Sequence, residues 1–282
     1  MSTPRIDAHQ HFWRYSPEQY AWITPELGVL RRDFLPDDLA PLLRDRGFGA
    51  CVAVQARQDL EETRWLLELT DSAPWIAGVV GWVDLRSPQA AEQLAELAAH
   101  PRLVGIRHVV QDEPDDRFLD SAEFRRGVGE LANFDLKYDL LIYPRQLPAA
   151  IDFVAAFPEQ PMVLDHLAKP EARAGSFEPW AGQLAELSRA ENLCVKLSGL
   201  ITEADWERWT ADGLRRYLDH TLECFGPERV MFGSDWPVCL LAGSYDRVTE
   251  LIDGFATALS PDERAALFGG NAARFYSLSI DA

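Results

Sequence analysis

Several common signature motifs are missing from this chain of 282 residues. It has no GxxxxGK[ST] phosphate loop and no GxGxxG dinucleotide fingerprint. It also lacks the GxSxG turn that carries the nucleophile of many serine hydrolases. These absences remove the strongest sequence arguments for nucleotide binding and for a catalytic serine.

Basic residues are scarce. The chain has 27 Lys and Arg against 45 Asp and Glu, and its formal net charge is −18. Because phosphate binding needs clustered Lys and Arg, we expect neither nucleic acid nor an anionic membrane as a partner. The acidic excess itself identifies no partner, since surplus carboxylates most often form a solvated surface.

Cysteines and long apolar segments are few. No apolar run approaches the roughly 20 residues that span a bilayer, and the first residues show no cationic segment followed by an apolar stretch. We therefore expect no secretory signal and a cytoplasmic enzyme with free thiols. The four cysteines lie far apart without a CxxC pair, which argues against a zinc ribbon: Cys51, Cys194, Cys224 and Cys239.

Eight short β-rich runs recur along the chain. Most are nearly continuous in apolar residues, which is typical of parallel strands buried on both faces. The predicted strands are 5–11, 50–55, 76–83, 103–110, 138–143, 162–167, 193–198 and 230–235.

Helical patterns separate these runs. Ser87 and Ser260 each precede a proline and are predicted as N-caps. The predicted helices are 61–72, 87–100, 121–133, 148–156, 179–191, 203–225, 245–259 and 261–268. This alternation predicts an α/β protein with a single (β/α)₈ TIM barrel as one domain over 1–282, with a doubly wound open sheet as the alternative.

Two histidines stand at the end of the first predicted strand. His9 and His11 are two residues apart, so both side chains can face the barrel mouth, about 6 to 7 Å apart along the backbone. Imidazole is a good ligand for zinc or manganese and transfers protons near neutral pH. The alternative is a pair of strand-end histidines satisfied by neighbouring groups.

Three further strand ends carry polar side chains. Strand six ends in Asp165 and His166, and strand eight ends in Asp235, whose buried carboxylate needs a cation or a histidine as partner. Asp235 could instead cap a helix or brace a loop, and Asp165 could brace the loop behind His166. Arg107 and His108 alternate at the end of strand four, so only one faces the interior, and we expect Arg107.

These strand ends resemble those of the amidohydrolase-related (amidohydrolase 2) proteins of the sugar-lactonase type, the group of L-fuconolactonases and L-rhamnonolactonases. The resemblance runs from residue 6 to residue 276 and rests on an ordered combination of motifs rather than on His-x-His alone. The motifs are DAHQHFW at 7–13, GIRH at 105–108, LDHLAKP at 164–170, MFGSDWPV at 231–238 and GNAARFY at 270–276.

The resemblance implies an amidohydrolase-like barrel that hydrolyses a cyclic ester. His9, His11, His166 and Asp235 match the strand-end positions of the family. Strand four offers no lysine for carbamylation and strand five no histidine, which argues against a binuclear metal centre. One divalent ion, zinc or manganese, held by His9, His11 and Asp235 is compatible with the sequence, and catalysis without metal is equally compatible.

Opening a lactone with water needs a base for the water and donors for the developing oxyanion. We expect Asp235 to be the base, with Arg107, His166 and His11 as donors. Lys196 could alternatively be the ion-pair partner of a buried carboxylate. The side chains expected to bind the sugar are Trp13, Gln55, Trp82, Lys196 and Trp236.

A small-molecule sugar lactone is thus the expected substrate, and the sequence does not indicate an oligomeric state. The alternatives are a lactonase for a dicarboxylate lactone of aromatic degradation, a metal-dependent decarboxylase or amide hydrolase, and a non-catalytic sugar-binding barrel. A dianionic substrate would require several Arg or Lys side chains at the mouth, which the strand ends do not supply in number.

Overall fold

The apolar runs of the sequence form eight parallel strands in the computed structural model, which describes residues 4–280. Each strand pairs with the next one along the chain, so the sheet order is the sequence order. Almost every strand residue is buried, as expected where helices cover a parallel sheet. The strands are β1 Arg5–Gln10, β2 Phe48–Val54, β3 Ile76–Gly81, β4 Leu103–His108, β5 Lys137–Leu140, β6 Met162–Leu164, β7 Leu193–Leu197 and β8 Val230–Phe232.

The sheet closes on itself where the chain beyond β8 returns to β1. The backbone N of Asp235 donates to the carbonyl oxygen of His9 (2.8 Å), and the backbone N of His11 donates to that of Trp236 (2.7 Å). Gln10 and Trp236 form the parallel bridge between them. The predicted (β/α)₈ barrel is therefore confirmed, and the open-sheet alternative is wrong.

Helices follow the strands in the expected alternation. They are α1 Pro36–Asp45, α2 Leu60–Ser72, α3 Ala90–Leu97, α4 Ala122–Gly129, α5 Leu147–Ala155, α6 Trp180–Leu187, α7 Ala211–Phe225, α8 Tyr245–Phe255, α9 Pro261–Ala265 and α10 Asn271–Phe275. Ser260 caps α9 as predicted, because its hydroxyl accepts from the backbone N of Glu263.

Two predicted helix starts are wrong. The Ser87–Pro pair forms a turn before α3: the hydroxyl of Ser87 accepts from the backbone N of Gln89, and the helix begins at Ala90. The helix predicted over 203–225 begins at Ala211, where Thr210 supplies the cap. Residues 203–210 instead belong to the long loop that follows β7.

Two clusters of buried apolar side chains form the core. The larger one packs the surrounding helices onto the sheet, and the smaller one joins strand residues to α10. Within residues 4–280, no helix combines the length and the apolar character needed to cross a membrane. That 1–282 is one domain stays a prediction, and residues 1–3 and 281–282 lie outside the described residues.

The side chain of Asn271 joins α10 to the end of the sheet by two hydrogen bonds. Its buried side-chain Nδ2 donates to the carbonyl oxygens of Pro227 (2.7 Å) and Val230 (2.6 Å). Asn271→Ala leaves one buried and one partly buried carbonyl without this donor and should lower the free energy of unfolding by about 2–3 kcal/mol in urea denaturation. Asn133→Ala, at an exposed asparagine, should change it by less than about 0.5 kcal/mol. Equal effects of the two substitutions would contradict this role of Asn271.

Candidate active site

The carboxyl ends of the strands bring five of the predicted side chains together, as the geometry of a parallel barrel requires. β1 supplies His9 and, just beyond its end, His11, while β4 supplies Arg107. His166 follows β6 and Asp235 follows β8. All five are at most 4 % exposed.

Three of these side chains converge on one point. Nε2 of His9 lies 3.2 Å from Nε2 of His11, and Oδ1 of Asp235 lies 3.8 Å and 3.3 Å from these two nitrogens. Ligands about 2.0–2.1 Å from a tetrahedral ion are separated by roughly 3.3 Å, so the spacing fits one divalent ion. The donor set of two imidazoles and a carboxylate suits zinc.

Asp235 stands in a left-handed backbone conformation with φ of 57°. Burial alone would raise the pKa of its carboxyl group. The positive charge of His166 in its protonated form, a hydrogen bond from His11 and the charge of protonated His9 outweigh that effect and hold the pKa well below its usual range. Asp235 is therefore an ionised carboxylate in a buried site, able to bind a cation or to accept a proton.

His166 begins a run of left-handed residues, 166–169, that turns its ring back towards the barrel axis. Its Nδ1 is hydrogen-bonded to the hydroxyl of Ser198 (2.8 Å), and its Nε2 lies 3.9 Å from Oδ1 of Asp235. Burial lowers the pKa of His166 to about 4, so the ring is neutral at neutral pH. Gly199 is required beside it, because a Cβ there would lie 2.6 Å from Nδ1 of His166.

Arg107 faces the site, whereas His108 turns away, stacks on Phe118 and bonds Glu113. The guanidinium of Arg107 donates to the side chain of Gln55 and, through Nη1, to Oδ2 of Asp165 (3.0 Å). These bonds fix its orientation, and Nη1 also lies 3.4 Å from Nε2 of His9.

A fully buried ion cluster lies against His9. The ammonium group of Lys196 bonds Oδ2 of Asp139 and lies 3.0 Å from Oδ1 of Asp165, and the hydroxyl of Tyr276 donates to Asp139. Burial opposes ionisation of Asp165, but the charges of Lys196, His9 and Arg107 hold its pKa well below the usual range. The sequence interpretation overlooked Asp139, whose signal was a charged residue within an otherwise strand-like run.

A cavity of about 480 Å³ opens above these residues and is the candidate substrate site. His11, Arg107, His166 and Asp235 line it, which places all four predicted catalytic side chains on one surface. The other polar and aromatic side chains along its wall include Gln19, Trp22, Arg57, Gln58, Gln111, Tyr143 and Lys169.

None of the five side chains expected to bind the sugar lines this cavity. Trp13 is fully buried, packs on Phe34 and donates its Nε1 to the carbonyl oxygen of Arg32; Trp236 also packs on Phe34. Trp236 directly follows Asp235 but packs in this aromatic cluster. Trp13 lies two residues after His11 and beyond the end of β1, where its backbone pairs with that of Phe34.

Two of the other three predicted side chains have structural partners instead, whereas the buried Nε1 of Trp82 has no hydrogen-bond partner among the described residues. Gln55 holds Arg107, and Lys196 takes the ion-pair role weighed as its alternative. The backbone N and carbonyl oxygen of Trp82 bond the hydroxyl of Thr63. The sequence interpretation missed Trp22 and Tyr143, which reach the cavity from βα loops.

Comparison with known proteins agrees with this geometry. A family model described as amidohydrolase matches residues 6–278, and the chain belongs to this family. A protein named L-fucono-1,5-lactonase from Burkholderia multivorans is 49 % identical over 99 % of this chain and 97 % of its own length. A protein of the same name from Burkholderia ambifaria is 40 % identical over 98 % of this chain and 96 % of its own length.

Solved structures extend the comparison. An amidohydrolase from Burkholderia multivorans with bound HEPES superposes with a TM-score of 0.94, at 48 % identity, over 98 % of this chain and 99 % of that chain. A second crystal form of an amidohydrolase from the same organism, with bound zinc, gives a TM-score of 0.93 at 48 % identity and the same coverage.

Proposed function

We propose that this chain hydrolyses a sugar-derived lactone to the corresponding aldonic acid, with L-fucono-1,5-lactone as the leading substrate. The observation that carries the proposal is near-full-length identity of 49 % and 40 % to two proteins named L-fucono-1,5-lactonase. The sugar lactonase expected from the strand-end motifs agrees with both names. The cavity supports this activity, because a carboxylate, a guanidinium and two imidazoles meet at its surface.

The charges along the cavity favour a neutral substrate. Arg57 is paired with Asp59 (3.1 Å), and Lys169 is paired with Glu203 (3.5 Å). Arg107 is likewise paired with Asp165. Because each of these cations already has a carboxylate partner, the wall offers little surplus positive charge to a dicarboxylate lactone.

Side-chain amides provide sites for hydroxyl groups. The Oε1 atom of Gln111 is buried and has no hydrogen-bond partner among the described residues. Gln58 uses its Oε1 to accept from the backbone N of Val109, which leaves its amide hydrogens to donate. An unpaired buried acceptor beside free donors suits the hydroxyls of a sugar ring.

Asp235 is the proposed general base. Its Oδ1 faces the histidines, which leaves Oδ2 to take a proton from water as the water attacks the lactone carbonyl carbon. Nη1 of Arg107, which lies 3.4 Å from Nε2 of His9 in the structure, and Nε2 of His166 are the proposed donors to the oxyanion. The bond to the ring oxygen then breaks, and the proton returns from Asp235 to that oxygen, giving the hydroxy acid.

His9, His11 and Asp235 are the residues that would hold a divalent ion, and we propose zinc. Zinc supplies a Lewis acid that polarises a carbonyl or lowers the pKa of a water molecule. The spacing of the three ligand atoms supports this proposal, as does zinc in a solved relative of 48 % identity.

All four cysteines are free, which supports the expected cytoplasmic location.

A lactone panel followed by proton release tests the proposed activity. We expect rapid opening of L-fucono-1,5-lactone and slower opening of a dicarboxylate lactone. The reason is that each Arg or Lys side chain of the cavity wall is already paired with a carboxylate of the protein. Turnover of the dicarboxylate lactone without turnover of any aldonolactone would overturn the proposal. Each rate must exceed the spontaneous opening measured in the same buffer.

Asp235→Asn should lower kcat/KM for the preferred lactone by about 10² to 10⁴-fold, because the amide cannot accept the proton from water. Steady-state proton release measures the loss. Asp219→Asn is the matched control, since this carboxylate pairs with Arg215 on the surface of α7. Near-normal turnover of Asp235→Asn would exclude the base role.

Trp22→Ala should raise KM roughly threefold to tenfold, because the ring is proposed to pack against the C–H face of the sugar. We expect kcat to change little, as for a contact made equally in ground state and transition state. Trp206→Ala is matched in exposure, 37 % against 36 %, but lies away from the cavity wall. A KM unchanged by Trp22→Ala would remove this side chain from the sugar site.

A further inference from the structure

We propose that Glu62 is a positioning residue of the substrate cavity: its buried carboxylate joins the loop after β1 to the loop after β2 and so fixes the wall that faces the sugar. The inference rests on the proposed function, which places Trp22 and Gln58 of this wall against the substrate. Glu62 does not itself line the cavity, so its effect on a lactone has to pass through the two loops.

The carboxylate of Glu62 is buried and accepts three hydrogen bonds. Glu62 lies in the first turn of α2 and is 1 % exposed. Its Oε2 accepts from the backbone N of Ala56 and from that of Arg57, both at 2.9 Å. Its Oε1 accepts from the hydroxyl of Tyr20 (2.9 Å). Burying a carboxylate is costly unless such donors surround it, so these contacts hold the two loops in place.

Tyr20 extends this connection into the loop after β1. Its side chain is buried, and its backbone carbonyl oxygen accepts from the backbone N of Ile23 (2.9 Å). Ala21 and Trp22 therefore form a turn whose start is fixed by Tyr20. The residues next to Tyr20 that line the cavity are Gln19, Ala21 and Trp22. The hydroxyl of Tyr20 thus sets where the ring of Trp22 lies over the cavity.

The other oxygen of the carboxylate fixes the loop after β2. The residues of this loop that line the cavity are Ala56, Arg57 and Gln58, and Glu62 binds the first two through their backbone. Gln55, directly before them, accepts from the guanidinium of Arg107 through both its carbonyl oxygen and its side chain. The same carboxylate therefore also steadies the partner of the proposed oxyanion donor.

The contact to Tyr20 does not depend on the charge of Glu62. Burial raises the pKa of Glu62 to about 7. A protonated Oε1 donates to the same hydroxyl oxygen, which can accept as well as donate. In Glu62→Gln the amide oxygen can accept from the two backbone N–H groups while the amide nitrogen donates to Tyr20. Glu62→Gln is therefore the conservative variant, and Glu62→Ala removes all three contacts.

Tyr20→Phe separates positioning from stability, because it removes one hydroxyl and leaves the backbone contacts of Glu62 in place. In steady-state lactone hydrolysis we expect KM to rise about threefold and kcat to stay within about twofold, since the proposed catalytic side chains keep their positions. Tyr217→Phe is the matched control: this buried tyrosine loses a bond to the carbonyl oxygen of Ser176 (2.8 Å), away from the cavity wall, and KM should not change. An unchanged KM in Tyr20→Phe would refute the inference.

A double-mutant cycle identifies the route of the effect. If Tyr20 acts through the ring that it positions, adding Tyr20→Phe to Trp22→Ala should raise KM by less than about 1.5-fold beyond Trp22→Ala alone. Two independent contributions would multiply instead. Full multiplication of the two effects on KM would overturn the positioning role of Tyr20.

The two Glu62 variants test the carboxylate itself. Glu62→Ala should raise KM more than Tyr20→Phe does and should also lower kcat, because both loops lose their acceptor. Glu62→Gln should return KM and kcat towards the wild-type values. Equal losses in the two variants would contradict the inference, and if Glu62→Ala does not fold, Tyr20→Phe decides.

Hydrogen exchange in the full-length chain supplies a readout that needs no substrate. The amides of residues 20–23 should exchange faster in Tyr20→Phe than in the wild type, and Tyr217→Phe should leave them unchanged. If the wild type opens no lactone, the proposed function fails, and exchange alone then decides the inference. Faster exchange of this turn in Tyr20→Phe would uphold its attachment to Glu62, and unchanged exchange would refute it.

Discussion

Burial of one ammonium group constrains the whole mouth of the barrel. Lys196 is removed from water completely, and an unpaired charge in such a position would cost several kcal/mol. Asp139 and Asp165 therefore have to lie beside it, and Asp165 also binds Arg107 and approaches His9. Through these contacts a single ion cluster fixes side chains from five different strand ends before any substrate is present.

The ion cluster is better explained by function than by stability. Apolar residues of similar volume often stabilise a protein as well as, or better than, a buried ion pair. What they cannot provide is a guanidinium held in one orientation and an imidazole that contacts both an ammonium group and a carboxylate. Arg107 and His9 are both positioned by Asp165, so a carboxylate that the sequence suggested as a loop brace links the proposed oxyanion donor to the proposed metal ligands.

The sequence predicted those parts of the molecule that follow from strand geometry. Eight apolar runs gave eight strands, and the rule that the ends of parallel strands converge brought His9, His11, His166 and Asp235 together. The sugar contacts were predicted from adjacency in sequence and from strand ends, and none of these five side chains lines the cavity. Trp13 lies in a packed aromatic cluster, whereas Trp22 reaches the cavity, because the path of the long loop after β1 depends on tertiary packing.

The charged side chains of the cavity wall affect both binding of the substrate and release of the product. A lactone enters as a neutral molecule, and the cations of the wall already have carboxylate partners, so binding relies on hydrogen bonds and aromatic packing. Hydrolysis converts this substrate into an aldonate whose new carboxylate forms next to Asp235. In the site without a metal ion, two like charges repel each other, and no surplus cation of the described wall compensates them. The carboxylate that is proposed to activate the water would therefore also favour departure of the product.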